Sequence, residues 1–231
     1  MDSPRSALVI GDSDGIGRAL VRRLLSEGWT VTGLSRRTNP DLPADAHAEC
    51  DVTAPDYRER LADLVGHRGA FDVVVWCVGI GESLDPADLT SEVRVLDTNL
   101  RQAVVTLDVV LPPMLAAGSG HVVGLSSLAD RALIADAPSY SASKAGLSSY
   151  LEALALACRP RGVAITNVRF GFVDTKMAQS PWKPFLISAE RAAAIVRRCF
   201  DTRPIRLSRP RRAALAMQAA STLMAMRLWF G

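Results

Sequence analysis

Ala7-Leu8-Val9-Ile10-Gly11-Asp12-Ser13-Asp14-Gly15-Ile16-Gly17-Arg18-Ala19-Leu20 is the stretch from which the rest of the chain can be read. A short apolar run ends at Gly11, and helical periodicity follows at Leu20, Val21, Leu24 and Leu25. That order predicts a buried strand, a tight turn and a helix. Glycines 11, 15 and 17 let the backbone approach a pyrophosphate, whose charge then rests on the free N–H groups of the helix N-terminus. Ser13, Asp14 and Ile16 share that turn. The pattern also fits an ordinary strand-to-helix turn that binds nothing. Its place at the first strand of an alternating pattern favours the nucleotide.

Working outward, apolar runs predict further strands at 30–34, weakly at 47–52, at 71–77, at 121–127 and 163–170, and a short last one at 205–207. Helical periodicity covers 91–117, where Pro112-Pro113 is expected to bend or break the end, and also 138–158 and 188–200. Continuous apolar strands suit a parallel sheet covered on both faces. The 231 residues are therefore read as one α/β domain over 1–208, a doubly wound parallel sheet with helices on both faces, followed by a tail at 209–231. Hydrophobic residues make up 48% and charged residues 22%, as in a soluble globular protein, and the net charge of +3 is too small to imply nucleic acid. Cys50, Cys77, Cys158 and Cys199 have neither metal-site nor disulfide spacing, which predicts reduced thiols in a cytoplasmic protein. Residues 1–6 are polar and do not resemble a signal peptide.

Tyr140-Ser141-Ala142-Ser143-Lys144 places a phenol and an ammonium four residues apart, on one face of a helix. An ammonium near a phenol stabilises the phenolate, so a group with a reference pKa of about 10 can exchange protons nearer neutrality. The same spacing occurs on solvated helix faces. Here it has company, because Ser126-Ser127 closes the run His121-Val122-Val123-Gly124-Leu125 upstream.

Glycines 11, 15 and 17, Asp51-Val52, Asn99 in Asp97-Thr98-Asn99-Leu100, Ser127 thirteen residues before Tyr140, then Lys144 and Gly171-Phe172-Val173-Asp174-Thr175 occur in one order. In that order the chain resembles the short-chain dehydrogenase/reductases over residues 6 to about 208. The resemblance implies a Rossmann-type fold and an NAD(P)-dependent oxidoreductase. Such an enzyme moves a hydride between nicotinamide C4 and a small or lipophilic carbonyl or secondary alcohol. It also implies Tyr140 as general acid–base, Lys144 depressing its pKa and binding the nicotinamide ribose, and Ser127 donating to the substrate oxygen. Asn99 would hold the helix backbone open for a water that relays protons. Ser127 as a strand cap and Asn99 as a partner for buried backbone are the bland alternatives.

For the cofactor, the resemblance points to Gly11, Ser13, Asp14, Gly15, Ile16 and Gly17, then to Ser35, Arg36 and Arg37. Family members that use NAD place an Asp where this chain has Ser35, and Arg36 can pair with a 2′-phosphate, so NADP(H) is expected ahead of NAD(H). Asp14 counts against it, because a carboxylate there repels phosphate, and Arg36 and Arg37 also fit a solvated loop. Asp51 is expected at the adenine amino group, with Val52 against the ring. Cys77, Val78, Gly79, Gly171, Val173 and Thr175 complete the set with Asn99, Tyr140 and Lys144. The family's Thr before the first Gly is Ile10 here, its Asn-Ala-Gly is Cys77-Val78-Gly79, and its Pro-Gly is Phe170-Gly171. Losing the Asn at 77 is expected to remove a tie between sheet and long helix.

Residues 176–185, with Pro181, Trp182, Pro184 and Phe185, predict a loop over a pocket. The tail begins with Arg206, Arg209, Arg211 and Arg212, continues apolar over 213–226 and ends near Trp229. It is shorter than the roughly 20 apolar residues of a spanning helix. A helix packed on the domain or on a partner subunit is the preferred reading, and peripheral contact with an anionic bilayer is the other. Pairing through the helices at 91–117 and 138–158 predicts a homodimer. Two classes of function remain open at this level: an oxidoreductase, and a catalytically idle nucleotide-binding protein that serves in regulation or assembly.

Overall fold

The computed structural model describes residues 5–178 and 182–230; the polar N-terminal residues 1–4, Pro181 of the predicted loop and Gly231 lie outside them. Seven strands form one parallel sheet: β1 (Ser6–Ile10), β2 (Thr30–Ser35), β3 (His47–Glu49), β4 (Val73–Trp76), β5 (Gly120–Ser127), β6 (Val163–Phe170) and β9 (Arg206–Arg209). Their order is β3-β2-β1-β4-β5-β6-β9. The chain winds outward from β1 in one direction and from β4 in the other, so a crevice opens at the carboxyl ends where the order reverses. A second, two-stranded sheet pairs β7 (Val173–Asp174) with β8 (Ile187–Ser188).

Alternation along β1 feeds two cores. Leu8 and Ile10 face one side with Val74, Trp76, Val122 and Ile165, while Ala7 and Val9 face the other with Val31, Val75, Val123 and Val168. The first side is covered by α2 (Tyr57–Arg68), α4 (Gln102–Ala117) and α5 (Pro138–Cys158), and the second by α1 (Gly15–Ser26) and α6 (Ala189–Thr202). Both faces being dry explains why the strands read as continuous apolar runs.

The helix predicted over 91–117 is three pieces: α3 (Thr90–Leu96), a π-helical turn at Asp97–Arg101, and α4. Pro112 and Pro113 do not break it. They lie inside α4, which ends where Gly118 adopts φ +64°, a left-handed cap. The third strand is shorter than predicted, and the last is shifted to Arg206–Arg209. Helix α2 escaped the periodicity because only Tyr57, Leu61 and Val65 are buried on an otherwise charged surface. The tail is α7 (Arg211–Phe230), with Ala213 buried and Leu215, Leu223, Met226 and Trp229 exposed.

Candidate active site

Gly11 closes β1 with φ +85° and Gly15 opens α1 with φ +50°, conformations that side chains disfavour. At Gly17 the constraint is contact: a Cβ would fall 2.0 Å from the Gly11 carbonyl oxygen. Asp14 caps α1, its Oδ1 accepting from Gly15 N at 2.8 Å. Its other oxygen meets Lys176 Nζ at 2.7 Å and Arg37 Nη2 at 3.4 Å. The Lys176 hydrogen bond leads in holding the Asp14 carboxyl below the usual range, against a partial desolvation. The carboxylate expected to repel phosphate is thus flanked by two cations.

At the end of β2, Ser35 is buried, and its hydroxyl donates to the Arg37 carbonyl at 2.9 Å. Arg36 stays exposed, with Nη1 3.9 Å from Asp51 Oδ2, while Asp51 Oδ1 accepts from both the backbone N and the hydroxyl of Thr53. Val52 is buried beside it. These residues, the glycine turn with Ser13 and Ile16, the Cys77-Val78-Gly79 segment, and Gly171, Val173 and Thr175 line one cleft of about 1440 Å³. Ser127, Tyr140 and Lys144 line the same cleft.

Helix α5 carries Tyr140 and Lys144. Lys144 Nζ lies 5.9 Å from the centroid of the Tyr140 ring and donates to the Leu125 carbonyl at 3.2 Å. Burial pushes the Lys144 ammonium down to about 8, opposed by the neighbouring Cys77. Burial raises the Tyr140 phenol above its ordinary value, and a hydrogen bond from Ser127 works against that rise. Desolvation is the leading influence on the Tyr140 phenol, and the group moved toward neutrality is Lys144 itself. Ser127 ends β5, and its Oγ accepts from Ala129 N at 3.1 Å while its O–H serves the Tyr140 oxygen.

Asn99 sits in the π-helical turn and is fully buried. Its Oδ1 accepts from Ile80 N at 2.7 Å, and its Nδ2 donates to the Ile80 carbonyl at 2.8 Å and to Ser143 Oγ at 3.1 Å. Asn99 therefore satisfies buried backbone. That pair of bonds ties the long helix to the chain beyond β4 without involving position 77. Two further features were not legible in sequence. Ser126 Oγ reaches Ser148 Oγ at 2.7 Å and the Lys144 carbonyl at 3.1 Å, and Ser148 donates to Asp130, which pairs with Arg169 in a buried bridge. Fully buried Asp12 meets Asn39 and His47 beneath the glycine turn. Both are long-range pairings; only the polar residues within strands hinted at them.

A doubly wound parallel sheet with a glycine turn at the N-terminus of its first helix, and a Tyr–Lys pair in the same crevice, defines an α/β protein of the Rossmann type. Residues 5–184 match the family model described as short chain dehydrogenase, and the chain belongs to the short-chain dehydrogenase/reductase family of oxidoreductases. An uncharacterized oxidoreductase of Myxococcus xanthus DK1622 is 38% identical over 211 residues, 84% of this chain and 83% of that protein. A putative ketoacyl reductase of Streptomyces coelicolor is 33% identical over 75% of this chain and 72% of its own length. A 3-ketodihydrosphingosine reductase of Bacteroides thetaiotaomicron is 29% identical over 74% of this chain and 65% of its own. Among solved structures, a short-chain dehydrogenase from Streptomyces avermitilis superposes with a TM-score of 0.84 at 26% identity, covering 98% of this chain and 96% of that one.

Membership implies a nicotinamide cofactor, and the cleft fits one. Its glycines admit backbone approach where a Cβ at position 17 would collide, and its volume exceeds the roughly 300–1,000 Å³ of an ordinary ligand pocket.

Proposed function

We propose that the protein is an NADP(H)-dependent oxidoreductase acting on a carbonyl or secondary alcohol, with Tyr140 as general acid–base. The convergence of Tyr140, Lys144 and Ser127 on the cleft that holds the glycine turn carries this reading. When bound, the nicotinamide supplies or accepts the hydride at its C4. Tyr140 gives its hydroxyl proton to the oxygen on which negative charge develops, or takes it back in the alcohol-to-carbonyl direction. Ser127 turns its O–H from the Tyr140 oxygen to that same substrate oxygen when the substrate is bound. Lys144, held close to the titration range of a neutral solution, hydrogen-bonds the ribose and returns the proton to Tyr140. Asn99 keeps the π-helical turn in place behind them and, through the Ile80 clamp, fixes the wall of the site.

The cleft lining also includes apolar Ile80, Ala137, Phe172 and Met177, polar Ser83 and Asp136, and the Glu82–Arg94 pair, and we take the apolar group as the substrate wall. Apolar walls favour a lipophilic ketone or its alcohol. The ketoacyl and ketosphingosine reductases among the relatives support that class. NADP(H) is preferred because β2 ends in Ser35-Arg36-Arg37 with no carboxylate, so two guanidinium groups flank the place of a 2′-phosphate. A homodimer through α4 and α5 belongs to the same proposal. So does a tail, α7, that extends the subunit or its interface.

Titration calorimetry with NADPH and NADH, followed by loss of NADPH absorbance over a panel of ketones including 3-ketoacyl thioesters, tests the proposal. NADPH is expected to bind more tightly, and Arg36→Ala to remove most of the difference, on the order of 1–3 kcal/mol. Equal affinities would reject the cofactor preference, and no ketone-dependent oxidation across the panel would reject the reaction.

A further inference from the structure

Behind the turn that ends β2 lies a chain of buried polar contacts that the cofactor and substrate do not account for. Asp12 is fully buried, one residue after Gly11. Asn39 Nδ2 donates to its carbonyl at 2.9 Å and to its Oδ2 at 3.0 Å. The other oxygen, Oδ1, faces His47 Nε2 at 3.4 Å and has no hydrogen-bond partner within ordinary reach. The same Nε2 lies 3.2 Å from Ser35 Oγ.

Donor counting fixes the direction of these contacts. The single proton of the Ser35 hydroxyl is donated to the Arg37 carbonyl. Ser35 Oγ can therefore only accept from His47, so Nε2 carries its hydrogen and donates it to Ser35 Oγ while facing Asp12 Oδ1 at 3.4 Å. The imidazole side chain is 4% exposed and the Asp12 side chain is closed to solvent, so water cannot replace either contact. Gly33 is part of the arrangement: a Cβ there would fall 2.1 Å from Asp12 Oδ2. The line Asn39, Asp12, His47, Ser35 thus joins the floor of the glycine turn to the Ser35–Arg37 bend. It also commits the Ser35 hydroxyl inward, which leaves Arg36 and Arg37 as the groups presented outward.

We propose that His47 is a positioning residue for cofactor selection: by holding Ser35 against Asp12 it sets the bend that aims Arg36 and Arg37 at a 2′-phosphate. The inference rests on the reading of that bend as the 2′-phosphate end of the cleft. His47 touches neither cofactor nor substrate, and it acts through Ser35. A ligand with only a ribose hydroxyl at that position gains little from two aimed guanidiniums, so the effect falls on the phosphorylated cofactor.

The test measures dissociation constants of the full chain and its variants for NADPH and NADH, with thermal melting alongside. His47→Ala is expected to weaken NADPH by about tenfold or more and NADH by less than about threefold. His47→Gln, whose amide nitrogen can reach the place of Nε2, is expected to restore NADPH binding to within about threefold of wild type. Equal loss for both cofactors, no loss for either, or a Gln variant as weak as the Ala variant would overturn the role of His47. The wild-type ratio separates this from the broader reading: a chain that binds NADPH no better than NADH fails the cofactor preference itself. A preference untouched by His47→Ala fails this inference alone.

Discussion

Lys144 Nζ lies 5.9 Å from the centre of the Tyr140 ring, and burial leaves the two groups with opposite displacements, the ammonium moved down to about 8 and the phenol moved up. Each is biased toward its neutral form. A site so arranged holds a proton donor and a proton acceptor whose ordinary values differ little but whose charged forms are both costly. In the proposed reaction, charge developing on a substrate oxygen would meet groups already stripped of water, where hydrogen bonds act at lower dielectric.

The buried lysine has a measurable effect on stability. Its folded-state value of about 8 lies below the ordinary 10.5, so between those values the unfolded chain binds a proton that the folded chain has released. Native stability from this group therefore rises as pH climbs from about 8 to 10.5, and it is lowest below that window. Lys144→Met removes the dependence. The variant is expected to be more stable than wild type at pH 7, on the order of 3 kcal/mol before the lost bond to the Leu125 carbonyl is counted, with the gap closing by pH 10.5. Urea unfolding at several pH values measures it, and a gap that stays constant with pH contradicts the assignment.

Gly17→Ala tests the cradle. The added Cβ would meet the Gly11 carbonyl oxygen at 2.0 Å, a backbone contact that cannot rotate away. Nucleotide affinity is expected to fall by at least about a hundredfold, with a stability loss of about 1–3 kcal/mol from overpacking. Titration calorimetry together with thermal melting separates the two effects. Undiminished affinity would mean that the turn does not carry the pyrophosphate.

Asn99→Ala leaves the Ile80 backbone N–H and carbonyl without their partners in a part-buried setting. The expected cost is about 1–3 kcal/mol in total, with turnover reduced more than cofactor affinity because the clamp shapes the wall of the cleft beside Lys144. Chemical denaturation and steady-state kinetics check both halves. A variant as stable as wild type would show that the clamp is not needed.

Much of this was legible in the chain because it rests on local patterns. The glycine turn, the Tyr–Lys spacing and the apolar strands are set by backbone sterics, helix pitch and two-sided burial, all of which leave a mark within a few residues. What escaped reading depends on partners far away in sequence. The π-helical turn at Asp97–Arg101 has no compositional sign and is held by Asn99 reaching Ile80. The Asp12–His47 contact joins residues brought together only when β1, β2 and β3 align. The direction of the Tyr140 shift was also out of reach, since the neighbouring Lys144 could be read from spacing but the depth of burial could not. The two prolines of α4 misled for a related reason: they sit near its end, and the cap at Gly118 decides where the helix stops.

In the proposed reaction Tyr140 transfers the proton while a nicotinamide supplies or accepts the hydride. Its most direct measurement is ketone-dependent NADPH oxidation by wild type and Tyr140→Phe at equal saturation, with NADPH affinity determined separately for each. Turnover is expected to be lower by at least about a hundredfold in the variant, with affinity and melting temperature little changed. Turnover within a few-fold of wild type, with the fold intact, would contradict it.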